Sequence, residues 1–409
     1  MSIPKILETP QGYTYSWTDE QITIEASRLR QHSDGRVTGE IVVKTTVQNV
    51  SPHLHQAQFN FNSTAARDKL TKLLTGRYSA VDWYAILEQT SVYTLERLRQ
   101  GEPVKELWTN EDIKAPEFLL EPLLYKGLPT ITFGEKAVWK SGLGLVVYAC
   151  LTLPWNDNPL GWTAPSRSIT ALLADYETDY NVVQYNAKRL QIGMDLPAFP
   201  VYYRRCSLPL ADDIEQIQRH MTSIGAEVLI VDSLGPAVGG DLKDPGQALR
   251  FTSALRRLVG ATLIIGQTSK DKETKVKSVF GSTFFEYYAR NIYELRKSQE
   301  EGEDTLDIAL YNTYNNLGRR HKPMGFQLYF NENKVKIDRQ EITAPELLER
   351  LGIQTRILSL LKSGSMSNKE IREALETTKG NTDMAIKRLR DKSRIIKAGD
   401  GWGLPFGGC

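Results

Sequence analysis

The segment from Gly134 to Ser141 constrains the fold of this 409-residue chain more than any other part of the sequence. It matches the phosphate-loop pattern G-x-x-x-x-G-K-[ST] at its first Gly and its closing Lys-Ser, whereas Trp139 replaces the second Gly. In such a loop the backbone N–H groups surround phosphate oxygens, the Lys adds positive charge and the hydroxyl reaches Mg²⁺. The candidate nucleotide-binding residues are Gly134, Glu135, Lys136, Ala137, Val138, Trp139, Lys140 and Ser141.

The flanking sequence has the order that this loop requires. Residues 128–133 form a short apolar run with two Thr and one Ile, which predicts a strand, and residues 143–149 continue with a helical pattern. The second Gly normally lets the main chain approach the phosphates closely, so an indole at position 139 must point away from the nucleotide or deform the loop.

Composition limits the class of protein without identifying it. The net charge is +2, so a nucleic-acid-binding surface would have to be local. The three cysteines, Cys150, Cys206 and Cys409, are far apart and lack a C-x-x-C spacing, which argues against a disulfide framework or a zinc site. No apolar run approaches the roughly 18 residues of a membrane span, and the first residues do not form a signal peptide. We therefore expect a soluble cytoplasmic protein without a membrane partner.

The pattern of apolar residues predicts three domains. Residues 1–117 alternate like strands and then follow two helical patterns, which indicates an α+β module without a catalytic constellation, and residues 101–103 begin a linker. Residues 118–340 alternate strands with helices, as in an α/β parallel sheet covered on both faces. The N-terminal module is a candidate surface for protein partners. The predicted strands of the central region are 128–133, 169–174, 228–231, 261–265, 291–295, 306–311 and 326–330.

Residues 341–409 have the outline of a winged helix. Three helical segments, the second opened by a capping box at Ser367 and the third capped by Asn381 or Thr382, precede a short hairpin pattern. A helix-turn-helix outline with clustered cations favours DNA contact, whereas the alternatives are a solvated face or a wing that docks a protein. The candidate DNA-binding residues are Lys379, Lys387, Arg388, Arg390, Lys392, Arg394 and Lys397.

Polar residues also end three other strands of the central region. Asp232 follows four apolar residues, where a carboxylate can hold Mg²⁺ opposite the hydroxyl of Ser141. Glu177 is the preferred general base, although the neighbouring acids Asp175 and Asp179 are alternatives. Gln267 ends another strand and can sense the γ-phosphate through a hydrogen bond. Each signal has a plain structural alternative, namely a cap, a surface loop or a turn.

With these motifs in this order, the chain resembles RecA-like ATPases of the plasmid and phage RepA helicase type, often labelled AAA family ATPases. The resemblance covers about residues 118–338 and implies ATP and Mg²⁺ as cofactors, a homo-oligomer that is usually a hexameric ring, and action on single- or double-stranded DNA. Carried over by position, Lys140 neutralises phosphate charge, Ser141 and Asp232 serve Mg²⁺, Glu177 activates water and Gln267 senses the γ-phosphate. The residues that carry the resemblance are Gly134, Lys140, Ser141, Asp175, Glu177, Asp232, Ser233, Gln267, Lys270, Gly281, Ser282, Ala289 and Arg290.

The chain departs from that group at a second place. Members usually supply cations in trans from a late Lys-x-Arg-x-Gly-like strand, whereas this chain has Tyr314 and Asn316 there. Arg290, Arg319 or Arg320 could substitute in trans, and Lys136 could supply charge in cis. Two hypotheses follow. The first is a DNA-dependent ATPase, a replication helicase or loader of a mobile element with slow hydrolysis, and the second is a non-catalytic nucleotide-binding or DNA-binding scaffold. A metabolic kinase is a distant third, because no signature of a second substrate is present.

Overall fold

The structure is a computed structural model, and it describes residues 2–9, 12–32, 34–100, 104, 106–107, 115–153, 155–258, 260–268, 278–299 and 302–405. The chain divides into two compact units, Met1–Ile113 with Glu215–Arg219, and Lys114–Ile214 with His220–Cys409. The linker predicted at residues 101–103, Lys270 and Cys409 lie outside the described residues. The two boundaries between the three domains predicted from the sequence stay a prediction.

The first unit contains a five-stranded antiparallel sheet in the order β1-β2-β3-β4-β5 and two helices. Alternate side chains of its strands are buried, because successive residues of a strand point to opposite faces. The Trp17 indole N–H donates to the Gln89 side chain of the second helix at 3.0 Å, and the Tyr15 and Thr94 oxygens lie 2.8 Å apart. The first and last strands were absent from the sequence-based prediction. The elements are β1 (Lys5–Thr9), β2 (Gly12–Trp17), β3 (Ile22–Gln31), β4 (Val37–Thr45), β5 (His53–Asn60), α1 (Thr64–Arg77) and α2 (Trp83–Gln100).

The second unit is built around a nine-stranded sheet, and a separate two-stranded sheet, β6 with β7, precedes its first strand. The strands up to β16 are β6 (Phe118–Leu120), β7 (Leu124–Tyr125), β8 (Pro129–Gly134), β9 (Ala171–Asp175), β10 (Tyr202–Arg205), β11 (Val228–Asp232), β12 (Ala261–Gln267), β13 (Asn291–Ser298), β14 (Thr305–Asn315), β15 (Met324–Phe330) and β16 (Val335–Gln340). The helices between them are α3 (Lys140–Thr152), α4 (Tyr180–Gly193), α5 (Leu210–Ile224), α6 (Leu234–Val238), α7 (Pro245–Leu255) and α8 (Thr283–Tyr288).

The order of the large sheet is β10-β9-β11-β12-β8-β13-β14-β15-β16, and its first six strands are parallel. Strands β9 and β11 are buried throughout, which is typical of a parallel sheet covered on both faces. The sequence-based prediction of an α/β fold with a RecA-like parallel sheet is therefore confirmed.

Strands β14, β15 and β16 extend this sheet with antiparallel pairing, which the sequence-based prediction of alternating strands and helices did not foresee. Their connections are short, residues 299–304, 316–323 and 331–334. A parallel crossover needs about a dozen residues, so chain length alone requires hairpin connections here.

The C-terminal segment folds around its own apolar cluster, which includes Ile357, Leu389 and Trp402. The predicted capping box at Ser367 is present. The predicted cap of the third long helix was wrong, because the helix begins at Lys379 and the Thr378 hydroxyl accepts from the Asn381 N–H at 3.4 Å. Gly380 lies in the first turn, and because glycine is a poor helix former the sequence predicted a later start. The elements are α9 (Pro345–Leu348), α10 (Ile353–Leu360), α11 (Asn368–Ala374), α12 (Lys379–Asp391), β17 (Ile396–Ala398) and β18 (Gly401–Gly403).

In the described part of the chain, no helix is both long enough and apolar enough to cross a membrane.

Candidate nucleotide-binding site

The polar residues that end the parallel strands lie together at the carboxyl ends of those strands. The register pairs Gly134 with Gln267 and Asp232 with both Ile265 and Asp175. Because all these strands are parallel, their carboxyl ends lie side by side, with β12 between the loop strand β8 and the strand that ends in Asp232. Ligands of open α/β sheets bind in this kind of crevice.

The loop after β8 adopts a left-handed conformation where the pattern has its second Gly. Trp139 has φ 61° and ψ 34°, and Ala137 has φ 56°. A bulky residue is rare in this region, which glycine enters at little cost. Trp139 therefore takes the backbone conformation that a glycine would favour, and α3 begins at the next residue, Lys140.

The indole of Trp139 packs against the protein core. It contacts the Phe330 ring edge to face, with centroids 6.2 Å apart. It also lies over Gly142, where an added Cβ would come within 2.0 Å of Cε2 of the indole. Trp139 is thus accommodated by its contact with Phe330 and by the missing side chain of Gly142.

Lys140 lies among three acidic residues at the first turn of α3. Its ammonium contacts the Glu135 carbonyl oxygen. Burial lowers the pKa of Lys140, whereas the charges of Glu177, Asp232 and Glu135 oppose that shift. In the rest of the loop Glu135, Lys136 and Ala137 are exposed and Val138 is buried. The Lys140 ammonium is therefore a partly desolvated charge at the place where the loop pattern puts a phosphate.

Asp232 and Ser141 form a pair of hard oxygen donors. Burial raises the pKa of Asp232 to about 6, with the Ser141 hydroxyl opposing the shift through a hydrogen bond and Glu177 and Asp175 adding to it. Oδ1 of Asp232 is buried without a hydrogen-bond partner among the described residues. A carboxylate and a hydroxyl suit Mg²⁺, which usually takes one or two protein oxygens and completes its shell with water and substrate phosphates. These two residues would hold the ion.

The described residues contain no cluster of three or more His, Cys, Asp or Glu side chains able to hold a metal by themselves. A Ser–Asp pair that shares an ion with a nucleotide does not form such a cluster.

The three acids after β9 have different environments. Asp175 is buried, and its carboxylate accepts from the backbone of Glu177 and Thr178 at 2.9 Å each and from the Tyr203 hydroxyl at 3.1 Å. Asp179 caps α4. Glu177 is exposed, and its Oε2 accepts from the Ser233 hydroxyl at 2.8 Å. Asp175 and Asp179 therefore accept hydrogen bonds from backbone N–H groups, whereas Glu177 contacts Ser233, the residue that follows Asp232.

Gln267 lies at the exposed end of β12, directly across from Gly134. The next residue, Thr268, donates its N–H to the Gly134 carbonyl at 3.2 Å. The segment 269–277 that follows lies outside the described residues. Gln267 is thus adjacent to the first residue of the loop, as a sensor of bound phosphate would have to be.

The candidate trans cations lie near the amino ends of the parallel strands, away from the loop. Asn291 pairs with Thr130, near the start of β8, so Arg290 is about one strand length, roughly 16 Å, from the loop. Arg319 and Arg320 are exposed in the connection after β14, which ends beside Asn291. The structure therefore does not bring these cations to the loop of their own chain.

The basic residues of the C-terminal segment are exposed but do not share one surface. At roughly 100° per residue, Lys379, Lys387 and Arg390 fall on one flank of α12 and Arg388 on the other. Lys397 lies on the β17–β18 hairpin, with its ammonium 4.9 Å from the centre of the Trp402 ring. Lys392 and Arg394 face a groove toward the core strands. DNA contact by these residues stays a prediction.

The sequence alone assigned no role to two residues of the site, Ser233 and Gly142. The Ser233 hydroxyl holds Glu177, and its signal was only its position after Asp232. Gly142 makes room for the indole, and a glycine three residues after the unusual Trp139, inside a helical pattern, was the available signal.

A known protein family matches part of this chain. Residues 94–273, somewhat less than half of the chain, match the sequence model of a family described as an AAA domain, AAA_25. No curated protein matches the chain significantly. Among solved structures, a KaiC-like protein from the hyperthermophilic archaeon Pyrococcus horikoshii aligns with 57% of this chain and 99% of its own, with 13% identity and a TM-score of 0.37. At that similarity nothing about its activity transfers. The family match and the sheet order support a RecA-like P-loop ATPase domain in the central region.

Proposed function

We propose that this protein is a Mg²⁺-dependent ATPase of the RepA helicase type that acts on DNA as a replication helicase or loader of a phage or plasmid. The observation that carries the proposal is the convergence of Lys140, Ser141, Glu177 and Asp232 at one sheet edge, with a buried carboxylate oxygen of Asp232 left without a partner among the described residues. A cytoplasmic location and a winged-helix fold for residues 341–409 belong to the same proposal.

The chemistry follows from the positions of the side chains. Lys140 would offset the charge of the transferred phosphoryl group, and Ser141 and Asp232 would hold a Mg²⁺ ion. Bound Mg²⁺ supplies further charge neutralisation for the leaving phosphate oxygens. Glu177, oriented by Ser233, accepts the proton of the attacking water, which contributes about 10²- to 10⁴-fold. Gln267 hydrogen-bonds the γ-phosphate or the water.

A ring-forming oligomer would complete the site. Arg319 and Arg320 lie at the ends of the strands opposite the loop, so they could reach a phosphate only in a neighbouring subunit. Arg290 donates a hydrogen bond to the Tyr287 carbonyl at 3.3 Å, which restricts its side chain. Loss of a finger cation costs on the order of 10³-fold or more in rate. We therefore expect turnover to depend on assembly.

Phosphate release from Mg²⁺-ATP tests the proposal. The wild type should release phosphate faster with single-stranded DNA, Lys140→Ala should abolish release, and Lys188→Ala should match the wild type, because Lys188 is an exposed lysine of α4 that contacts Gln191. Glu177→Gln should bind ATP and lose at least about 10²-fold in turnover. Absence of Lys140-dependent release with every nucleic acid tried would exclude the ATPase.

Subunit mixing tests the trans arrangement. Glu177→Gln lacks a base but keeps its arginines, whereas a double variant of Arg319 and Arg320 keeps the base. Neither should turn over alone, and their mixture should recover activity. Recovery absent at every ratio, with both variants oligomeric by mass measurement, would contradict action in trans.

A second candidate function is a non-catalytic scaffold that binds nucleotide or DNA. Trp139 in the loop and the uncharged Tyr314 and Asn316 favour it. This candidate predicts ATP binding without turnover, or no binding, and calorimetry on the wild type and Trp139→Gly distinguishes it. Micromolar binding with hydrolysis by the wild type would rule the scaffold out.

A further inference from the structure

A buried carboxylate holds the backbone of the loop that carries Glu177. Asp175 is buried at the carboxyl end of β9. Its Oδ1 accepts from the N–H groups of Glu177 and Thr178 at 2.9 Å each, and its Oδ2 accepts from the Thr178 hydroxyl at 2.6 Å. A side chain that binds N–H groups two and three residues later fixes the backbone between them.

The edge strand β10 supplies a fourth donor from outside the loop. The Tyr203 hydroxyl donates to Oδ2 of Asp175 at 3.1 Å. Burial, together with the charge of Asp175, raises the pKa of Tyr203 to about 12, so the phenol keeps its proton and remains a donor at neutral pH. The Tyr203 ring also meets the ring of Tyr180, the first residue of α4, with centroids 5.8 Å apart. Tyr203 therefore contacts the residues on both sides of loop 176–179.

Two backbone contacts join the same loop to neighbouring strand ends. Tyr176 donates its N–H to the Asp232 carbonyl at 2.6 Å, and Cys206 donates its N–H to the Asp175 carbonyl at 2.8 Å. Because the side chain of Glu177 is exposed, packing does not fix its direction. The backbone of residue 177 therefore has to aim this carboxylate toward Ser233 and the end of β11.

We propose that Asp175, assisted by Tyr203, is a positioning residue that fixes the backbone from which Glu177 reaches the attacking water. This role rests on the ATPase function proposed above, in which Glu177 is the base. The oxygens of Asp175 already accept from the loop and from Tyr203, so Asp175 acts through Glu177. A base has to lie within hydrogen-bond reach of the proton that it removes, and a small misplacement lowers the rate.

The sheet register provides a competing explanation, which concerns the metal. Asp175 pairs with Asp232 on the adjacent strand, and its charge adds to the raised pKa of Asp232. Loss of that charge would change Mg²⁺ binding by Asp232 and Ser141 and leave the direction of Glu177 as it is. The two explanations differ in how turnover depends on the Mg²⁺ concentration and on the presence of Glu177.

Phosphate release by the full chain measures the effect of Asp175. Asp175→Asn replaces one acceptor oxygen with an amide nitrogen, so two of the four donors lose their acceptor. It should lower kcat about tenfold, which is within the range that a general base contributes. The KM for ATP and the Mg²⁺ concentration for half-maximal turnover should stay within about twofold. Tyr203→Phe removes one of the four bonds and should lower kcat about threefold.

A double variant identifies the residue through which Asp175 acts. In a Glu177→Gln background, followed by single-turnover phosphate release, Asp175→Asn should change the rate less than about twofold, because the base that it positions is absent. A further tenfold loss in that background overturns the proposal. A shift in the Mg²⁺ dependence of Asp175→Asn also overturns it, in favour of a role at the metal.

Asp179→Asn is the matched control. Asp179 likewise accepts from N–H groups two and three residues later, those of Asn181 and Val182 at 2.9 and 3.1 Å, but these groups belong to α4. The control should lower the Tm and leave kcat unchanged. An equal loss of kcat in Asp175→Asn and Asp179→Asn overturns the proposal, because any carboxylate of the loop would then have the same effect.

Amide hydrogen exchange tests the geometry without turnover. The amides of Glu177 and Thr178 should exchange at least about tenfold faster in Asp175→Asn than in the wild type, whereas Asp179→Asn should accelerate those of Asn181 and Val182. Unchanged exchange of Glu177 and Thr178 in Asp175→Asn overturns the proposal. Thermal unfolding verifies that each variant is folded, and Tyr203→Phe decides if Asp175→Asn is not.

Failure of this role and failure of the ATPase give different results. A wild type without turnover refutes the ATPase and the positioning role together. Turnover that falls in Glu177→Gln, with kcat unchanged in both Asp175→Asn and Tyr203→Phe, overturns the positioning role alone.

Discussion

The contact between Trp139 and Gly142 predicts an unusual response to a common stabilising substitution. Replacing a helical Gly with Ala normally stabilises a protein by about 1 kcal/mol. At position 142, however, the new Cβ would lie 2.0 Å from Cε2 and 2.3 Å from Cδ2 of the indole. Overpacking costs about 1–3 kcal/mol, and a ring fixed against Phe330 puts the cost near the upper end. We expect Gly142→Ala to destabilise the second unit by about 2 kcal/mol net.

Removing the indole should reverse the sign of this effect. In a Trp139→Gly background the Cβ has room, so Gly142→Ala should stabilise by about 1 kcal/mol. Trp139→Gly itself should stay within about 1 kcal/mol of the wild type, because relief of the left-handed conformation, about 1–2 kcal/mol, offsets the loss of a partly buried ring. The coupling energy between positions 139 and 142 should therefore be about 3 kcal/mol.

Differential scanning calorimetry measures both signs. For a unit of this size 1 kcal/mol corresponds to about 2–4 °C, so Gly142→Ala should lower the Tm by about 4–8 °C in the wild type and raise it by about 2–4 °C in the Trp139→Gly background. Gly380→Ala is the matched control, because Gly380 also lies in the first turn of a helix and has no neighbour within 4 Å of an added Cβ. The same sign for Gly142→Ala in both backgrounds would refute the packing of the indole described above.

Three further substitutions test the site and its support. Because burial raises the folded-state pKa of Asp232 to about 6 from 3.8, its stabilising contribution is complete below about pH 4 and is lost as the pH rises through 6. Asp232→Asn should therefore raise the Tm at pH 7 but not at pH 4 when nucleotide is absent. Because the Ser233 hydroxyl orients Glu177, Ser233→Ala should lower kcat about tenfold at constant KM, and Ser233→Thr should restore it. An unchanged kcat in Ser233→Ala would show that Ser233 only fills space. Arg350→Met should lower the free energy of unfolding by about 3 kcal/mol, because it removes one of the arginines that pair with the buried Glu294. Arg350 Nε lies 2.8 Å from Glu294 Oε2. In a Glu294→Gln background the same substitution should cost less stability.

The strand-end motifs were predictable because each is local and a parallel sheet aligns them. An apolar run that ends in Asp232, or in Gln267, marks the carboxyl end of a buried strand, and parallel pairing brings all such ends to one edge. The order of the strands, with β12 between the two motif strands, and the antiparallel extension β14–β16 depend on contacts between distant residues. Those contacts leave no signal in the local pattern of apolar residues.

The choice of base required the structure for a different reason. Asp175, Glu177 and Asp179 lie within one loop, so spacing alone does not separate them. The structure distinguishes them by what each oxygen accepts: two of the acids bind backbone N–H groups, and Glu177 binds a side chain of the neighbouring strand end. The cations around α12 show the same limit, since residues adjacent in sequence occupy opposite flanks of a helix.

The two departures from the loop ATPase pattern have different physical consequences, although both concern one reaction. Trp139 is accommodated within the chain, because its backbone is left-handed and Gly142 gives the ring room. The uncharged Tyr314 and Asn316 lie at the opposite edge of the sheet, beyond reach of their own loop. The first departure therefore bears on the stability of one subunit and leaves the loop able to present its N–H groups. In the trans arrangement proposed above, the second departure bears on what a neighbouring subunit contributes, so assembly and Arg319 and Arg320 should decide the rate of hydrolysis, whereas the affinity for ATP should depend on residues of one subunit, namely the loop, Asp232 and Gln267.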